Sequence, residues 1–187
     1  MKNFYLSIIY TALILSFNSC KDKEDIGPWR EANLNAYQEI TRNSVYREIR
    51  TETGPRGVFY KILKAGDGTE CPLQTSRVRI YYKLSFIDGT VYDQGSTGNN
   101  IPASLDVNGN LYGFMVPRGL SYALQNMVVG DRWEIWVPYY LGYGPGGLAY
   151  IDDLSYSYGY YRKNTLIKGY TTLIYDIELV GITQYPK

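Results

Sequence analysis

Histidine is absent from the 187 residues. With it go the commonest general base near neutral pH and the commonest zinc ligand, so zincins, Ser-His-Asp triads and Cys-His pairs are excluded. Cysteine is nearly absent: Cys20 and Cys71 are the whole complement. The two could pair, but Cys20 has another fate, described below. Cys71 then reads as a lone small hydrophobe rather than a nucleophile, which would need an activating base. Excess charge is missing as well. The 19 Lys and Arg against 18 Asp and Glu leave +1, which gives nucleic acid no electrostatic footprint. Phe and Trp are scarce at 5 and 3, whereas Tyr reaches 21. Many Tyr in alternating patterns suggest a β-rich fold with amphipathic surfaces. Nothing implies a cofactor or a metal, and Asp152-Asp153 alone is too little for calcium.

Residues 1–19 combine a basic start at Lys2 with an apolar run from Phe4 to Phe17. That run is too short to span a bilayer comfortably and fits a secretory signal. It ends in Asn18-Ser19-Cys20, which resembles the lipobox of bacterial lipoproteins in a loose form, Phe17 standing where Leu or Val is usual. The resemblance implies cleavage before Cys20, lipidation of that residue and a lipid anchor in a membrane. A cleaved soluble signal and an uncleaved anchor are the alternatives. Residues 20–27 form a tether whose Lys21-Asp22-Lys23-Glu24-Asp25 is similar to the post-cysteine segment of surface-exported lipoproteins in Bacteroidetes-type bacteria. The expected location is the cell envelope, at an outer membrane, on its periplasmic or surface face.

Residues 28–53 are expected to be helical. Pro28 suits a helix's first turn. Leu34, Tyr37 and Ile40, then Val45, Tyr46 and Ile49, recur at roughly helical spacing, with a break near Asn43-Ser44. The segment either packs on the domain, spaces it from the membrane, or self-associates. Thr53 to Gly57 is a boundary of turn residues, and residues 54–187 form the main domain.

Within that domain, Val58 to Lys64 reads as a strand. Arg77 to Gln94 reads as a hairpin: Val78, Ile80, Tyr82 and Leu84 alternate with polar residues, and Asp88-Gly89 supplies the turn. The hairpin brings the Tyr82 phenol toward the Asp93 carboxylate. Ile101 to Val107 is another short strand. Gly119 to Met127 is the one short helix of the domain, with Leu120, Ala123, Leu124 and Met127 on one stripe. Arg132 to Val137 and Thr172 to Ile182 complete the strands. The class is α+β.

These blocks, in order, resemble FKBP-type peptidyl-prolyl cis-trans isomerases in a lipoprotein form: Gly57 to Gly66, Val78-x-Ile80-x-Tyr82, Asp88-Gly89-Thr90-Val91-Tyr92-Asp93, Gly119 to Met127, Val129-Gly130-Asp131, Val137-Pro138-x-x-Leu141-Gly142-Tyr143-Gly144, and Leu173 to Leu179. The resemblance covers roughly residues 54–184. It implies an antiparallel sheet of five or six strands curled around one short helix, preceded here by the helical segment. It also implies proline-containing polypeptides as substrates. Carried onto this chain, the catalytic positions fall on Tyr82, Asp93 and Tyr143, and the pocket on Val116, Leu120 and Tyr175, with Ala103, Leu105 and Ile167 as further walls. Leu120 stands where Trp is usual, and Ala103 replaces a larger residue, which is expected to widen the pocket. The backbone N–H that meets the substrate carbonyl falls on Pro117, which has none, or on Val116 after a one-residue shift. The loop after Gly144 carries an insert, residues 148–164, in which Tyr156, Tyr158 and Tyr160 alternate with small residues. In a strand those three rings share a face. They would cover the domain as a hairpin, or grip an unfolded chain or a sugar.

Overall fold

The structure, a computed structural model, describes residues 26–52, 54–95, 101–111, 114–148 and 167–184. The leader, Cys20, the tether up to residue 25 and the insert beyond Leu148 lie outside the described residues. In chain order the elements are α1 (Gly27–Arg42), β1 (Arg47–Ile49), β2 (Val58–Lys64), β3 (Arg77–Ser85), β4 (Val91–Gly95), β5 (Ala103–Asp106), β6 (Asn110–Leu111), β7 (Phe114–Met115), α2 (Arg118–Leu124), β8 (Arg132–Val137), a 3-10 turn (Tyr139–Leu141) and β9 (Leu173–Gln184). One antiparallel sheet runs β1-β2-β8-β9-β3-β4, with β5 also on β3, and β6-β7 is a separate small hairpin.

β3 organises the sheet. On one edge β9 pairs with it along its whole length, from Arg77↔Gln184 to Ser85↔Ile174. The other edge is divided: β5 takes Arg77 to Ile80, and β4 takes Tyr82 to Ser85. Alternation along these strands turns Val78, Ile80, Tyr82 and Leu84 of β3, and Leu173, Tyr175, Ile177 and Leu179 of β9, onto the concave face. There they meet Leu120, Ala123 and Leu124 of α2, with Met127 just beyond it. Each such side chain contributes about 1.5–3 kcal/mol by leaving water. At 7 residues α2 is too short to persist by itself, so this packing holds it. Its first turn lies so close to β8 that a Cβ on Gly119 would overlap Val137. Glycine there is what lets Leu120 reach the sheet. The opposite face carries ion pairs, Arg132 with Asp176 through two bonds of 2.8 Å and Lys61 with Glu134 at 3.1 Å, beside aromatic contacts of Tyr37 with Phe59 and Tyr46 with Trp136.

The helical segment expected over residues 28–53 is helical only to Arg42. Asn43 turns the chain, its side chain accepting from the Val45 N–H at 3.0 Å. Arg47 to Ile49 then pair with Val58 to Tyr60, which raises the expected five or six strands to seven. Over so few residues Val45, Tyr46 and Ile49 satisfy a helical period by chance, and a free sheet edge decides the conformation. The inward face of α1 also differs from the apolar stripe. Leu34 is exposed, while Asn33 and Tyr37 are buried. Asn33 accepts from the Thr172 N–H at 2.8 Å and donates to the Trp29 carbonyl at 2.9 Å. The Tyr37 hydroxyl donates to the Gly57 carbonyl. α1 is thereby latched onto the start of β9 and the start of β2.

Asn33→Ala would leave the buried Thr172 N–H without its acceptor. The expected loss is about 1–3 kcal/mol, read as a lower urea midpoint, whereas Glu39→Ala on the exposed side of α1 should shift stability by less than about 0.5 kcal/mol.

Candidate functional site

β3 hands over from one edge partner to the other at Tyr82, and a small concave pocket of about 50 Å³ opens there. Ile80, Tyr82 and Leu84 reach it from β3, Tyr92 and Asp93 from β4, and Tyr175 from β9. Met115, Val116, Pro117 and Leu120 close it from the β7–α2 side, and Tyr143 and Leu148 from the loop after β8. Apart from the carboxylate and the phenol tips, the lining is apolar.

The Tyr82 hydroxyl donates to Asp93 Oδ2 at 2.7 Å. The pair is diagonal, because Asp93 stands opposite Leu84 and Tyr82 opposite Gly95. Two local features make the contact. β4 carries a bulge: Leu84 pairs with Asp93 and Ser85 with Val91, leaving Tyr92 as the extra residue. Two consecutive residues, Tyr92 and Asp93, therefore both reach the pocket. In addition, the Tyr82 ring lies over Gly95, where any Cβ would overlap it.

Tyr143 is half-buried, and its hydroxyl donates to the Met115 carbonyl at 3.4 Å, a long bond that another acceptor can replace. Burial pushes its phenol up to about 12, with Tyr92 and Asp93 adding to the shift. Tyr175 is buried, and its phenol is raised well above the ordinary range, first by burial and then by its neighbours Tyr143, Tyr82 and Asp93. Neither phenol gives up its proton near neutral pH. Across the pocket, the Val116 N–H already donates to the Gly109 carbonyl at 2.9 Å. Pro117 has no N–H and serves as the residue before the first turn of α2. Neither Val116 nor Pro117 therefore offers a free backbone donor to the pocket. Among the described residues no three His, Cys, Asp or Glu gather to hold a metal ion.

Of the residues singled out in the sequence, the structure brings Tyr82, Asp93, Tyr143, Val116, Leu120 and Tyr175 around one pocket. Ala103, Leu105 and Ile167 are elsewhere. All three are buried in the core, at 4%, 1% and 2% exposure, and do not line the pocket. Ala103 sits opposite Ile80, close to the space a Gly95 side chain would need, so its small size admits the Tyr82 ring rather than widening the pocket. Leu105 is two residues further along β5, opposite Val78. Ile167 pairs with Leu148 in an isolated bridge, and it is Leu148 that faces the pocket. Tyr92 also lines the pocket, although as the neighbour of Asp93 its position in a strand points it away. Strict alternation sends neighbouring residues to opposite faces, and only the bulge overrides that rule.

A sequence profile of the FKBP-type peptidyl-prolyl cis-trans isomerase family matches residues 68–180. The chain belongs to that family. It is 32% identical over 126 residues to the FKBP-type 22 kDa peptidyl-prolyl cis-trans isomerase of Escherichia coli strain K12, which covers 67% of this chain and 50% of the relative. It is 38% identical over 91 residues to the outer membrane protein MIP of Legionella longbeachae, covering 49% of this chain and 36% of the relative. The chain thus spans half or less of the length of these relatives. Its fold matches the crystal structure of a peptidyl-prolyl cis-trans isomerase from Pseudomonas syringae pv. tomato with a TM-score of 0.58 at 25% identity, over 82% of this chain and 96% of that one.

Gly95→Ala is expected to force the Tyr82 ring out of its place and cost about 1–3 kcal/mol as overpacking does, measured as a lower guanidinium midpoint. Gly181→Ala is the control, since its Cβ meets only the flexible Arg79 side chain and the same transition should be unmoved or slightly raised. The buried phenols give a second expectation. With the Tyr143 phenol at about 12 when folded and 10.0 when free, the folded state keeps a proton that the unfolded chain releases. Stability should therefore be unaffected below about pH 10 and fall as pH rises toward 12, read by the denaturation midpoint at each pH. Tyr143→Phe should make that fall shallower.

Proposed function

We propose that this protein is a peptidyl-prolyl cis-trans isomerase that assists the folding of exported or envelope proteins. The observation that carries the reading is the Tyr82–Asp93 pair set in an apolar pocket beside the Tyr143 hydroxyl. Rotation about an X-Pro bond has a barrier of about 20 kcal/mol and takes tens of seconds unaided, because amide resonance must be broken. An apolar pocket holds the proline ring and strips water from the flanking carbonyl, which favours the twisted amide. Tyr82 is oriented by Asp93, whose negative field lies beside the rotating bond. Tyr143 exchanges its long bond to Met115 for a substrate carbonyl. With the Val116 N–H spent on Gly109 and Pro117 lacking one, the donor role passes from that stretch of backbone to this hydroxyl.

No proton changes hands, so the lack of histidine is no handicap. We expect a rate that is flat from pH 6 to 8, because the Tyr143 and Tyr175 phenols keep their protons throughout. A bell-shaped profile inside that window would demand a titrating acid or base and would contradict the mechanism.

The chain is further proposed to be a lipoprotein of the Bacteroidetes-like kind, anchored at Cys20 in the outer membrane. Support comes from the Phe17-Asn18-Ser19-Cys20 sequence and from the resemblance to an outer membrane protein. Self-association through residues 28–53 has weaker support, since α1 spends Asn33 and Tyr37 on its own domain.

A second reading has a specific observation behind it. A pocket with Leu120 as floor and no N–H to spare on Val116 or Pro117 suits a catalytically weak chaperone or a surface ligand-binding module that uses the Tyr-rich insert, holding proline-containing chains without turning them over quickly. One experiment separates the two. The purified full chain is added to a proline-limited refolding reaction, beside Asp93→Ala and Tyr143→Phe. The isomerase reading expects acceleration by the wild type and about a tenfold loss of kcat/KM in each variant, the scale of one hydrogen bond. Binding of an X-Pro peptide without acceleration supports the module instead.

A further inference from the structure

We propose that α1 braces the pocket, with Trp29 and Arg30 acting as positioning residues for Tyr92 and Tyr143. Two chains of contact run from its first turn. The Trp29 ring meets Phe86 edge-on, with centroids 6.1 Å apart at 83°. Phe86 in turn packs on Tyr92 at 5.3 Å. Phe86 sits at the β3–β4 turn, and its N–H bonds to the Thr90 carbonyl at 3.0 Å. Its ring is thus the link between the helix and the bulge residue that lines the pocket. Trp29 is itself fixed, because its Nε1 donates to Thr171 Oγ1 at 3.0 Å and Thr171 donates to the Lys168 carbonyl at 2.7 Å.

The second chain passes through Tyr170. This residue stands at φ 61°, the left-handed region that bulky side chains rarely adopt. Its ring is held between the Arg30 guanidinium, 4.5 Å from the centroid, and the Tyr139 ring at 4.9 Å. Held so, its N–H donates to the Gly144 carbonyl at 3.1 Å, and Gly144 directly follows Tyr143. Between the two chains, Asn33 ties the helix to Thr172, three residues before Tyr175. Three segments that carry pocket residues are thereby referred to one helix that does not touch the pocket.

This inference rests on the isomerase reading only for its kinetic readout. The test compares Trp29→Ala, Trp29→Phe and Arg30→Ala in the full chain. Ring proton signals of Tyr92 and Tyr143 are followed by NMR, assigned with Tyr92→Phe and Tyr143→Phe, and kcat and KM are measured separately. The brace predicts that Trp29→Ala moves the Tyr92 signals and raises KM about fivefold with kcat nearly unchanged, the scale of one lost ring contact. Trp29→Phe keeps the ring and should restore both. Arg30→Ala should move the Tyr143 signals. Arg30 is exposed, so this variant decides the matter if Trp29→Ala fails to fold. Ring signals and KM that stay in place while only thermal stability falls would overturn the brace. If the wild type shows no isomerase activity, the activity reading fails, and the ring signals alone decide the brace.

Discussion

The constraint from which the site follows is the divided edge of β3. A nine-residue strand is covered on one side by a single partner, β9, but on the other by β5 and then β4. At the handover neither partner can present a bulky inward side chain, and Gly95 and Ala103 stand there. Into the space they leave falls the Tyr82 ring, whose hydroxyl then meets Asp93. A uniform edge would have given a flat wall. The divided one gives a recess with a phenol and a carboxylate at its rim, and α2, admitted by Gly119, closes the floor with Leu120.

This geometry suits a reaction whose barrier is electronic rather than a matter of proton transfer. The pocket offers desolvation, one fixed negative charge and hydroxyl donors that keep their protons. Two of the chain's departures, Pro117 and Leu120, fall on one wall. Its Val116 N–H is taken by the Gly109 carbonyl at the base of the β6–β7 hairpin, and Pro117 has no N–H. Tyr143 faces that wall from a loop whose Gly144 carbonyl accepts from the Tyr170 N–H, and the Tyr170 ring lies under Arg30 of α1.

Much of this is legible in the sequence, for identifiable reasons. β3 and β9 alternate cleanly because each has one buried and one solvated face, so Tyr82 and Tyr175 can be assigned to the inner face from pattern alone. The order of the blocks then brings Asp93, Tyr143 and Leu120 toward Tyr82. What stays hidden depends on pairing partners. The bulge that turns Tyr92 inward exists only relative to β3. Whether the Val116 N–H is free depends on where Gly109 lies. β1 forms because β2 has an open edge, not because Arg47 to Ile49 prefer to be extended. Ala103, Leu105 and Ile167 are apolar and near the site in sequence order, yet alternation and register carry them into the core. Asn33 shows the reverse case: a polar residue becomes the most buried part of a helix because its amide satisfies the buried Thr172 N–H just ahead of β9.

The central claim is that Tyr82 and Asp93 act on the X-Pro bond as one unit. A double-mutant cycle on kcat/KM for a proline-containing peptide, using Tyr82→Phe, Asp93→Ala and the double variant, tests it most directly. Acting as a unit, the pair should be strongly non-additive, with the double variant no slower than the slower single one. Losses that simply add would contradict the account, and so would a wild-type rate indistinguishable from the uncatalysed one.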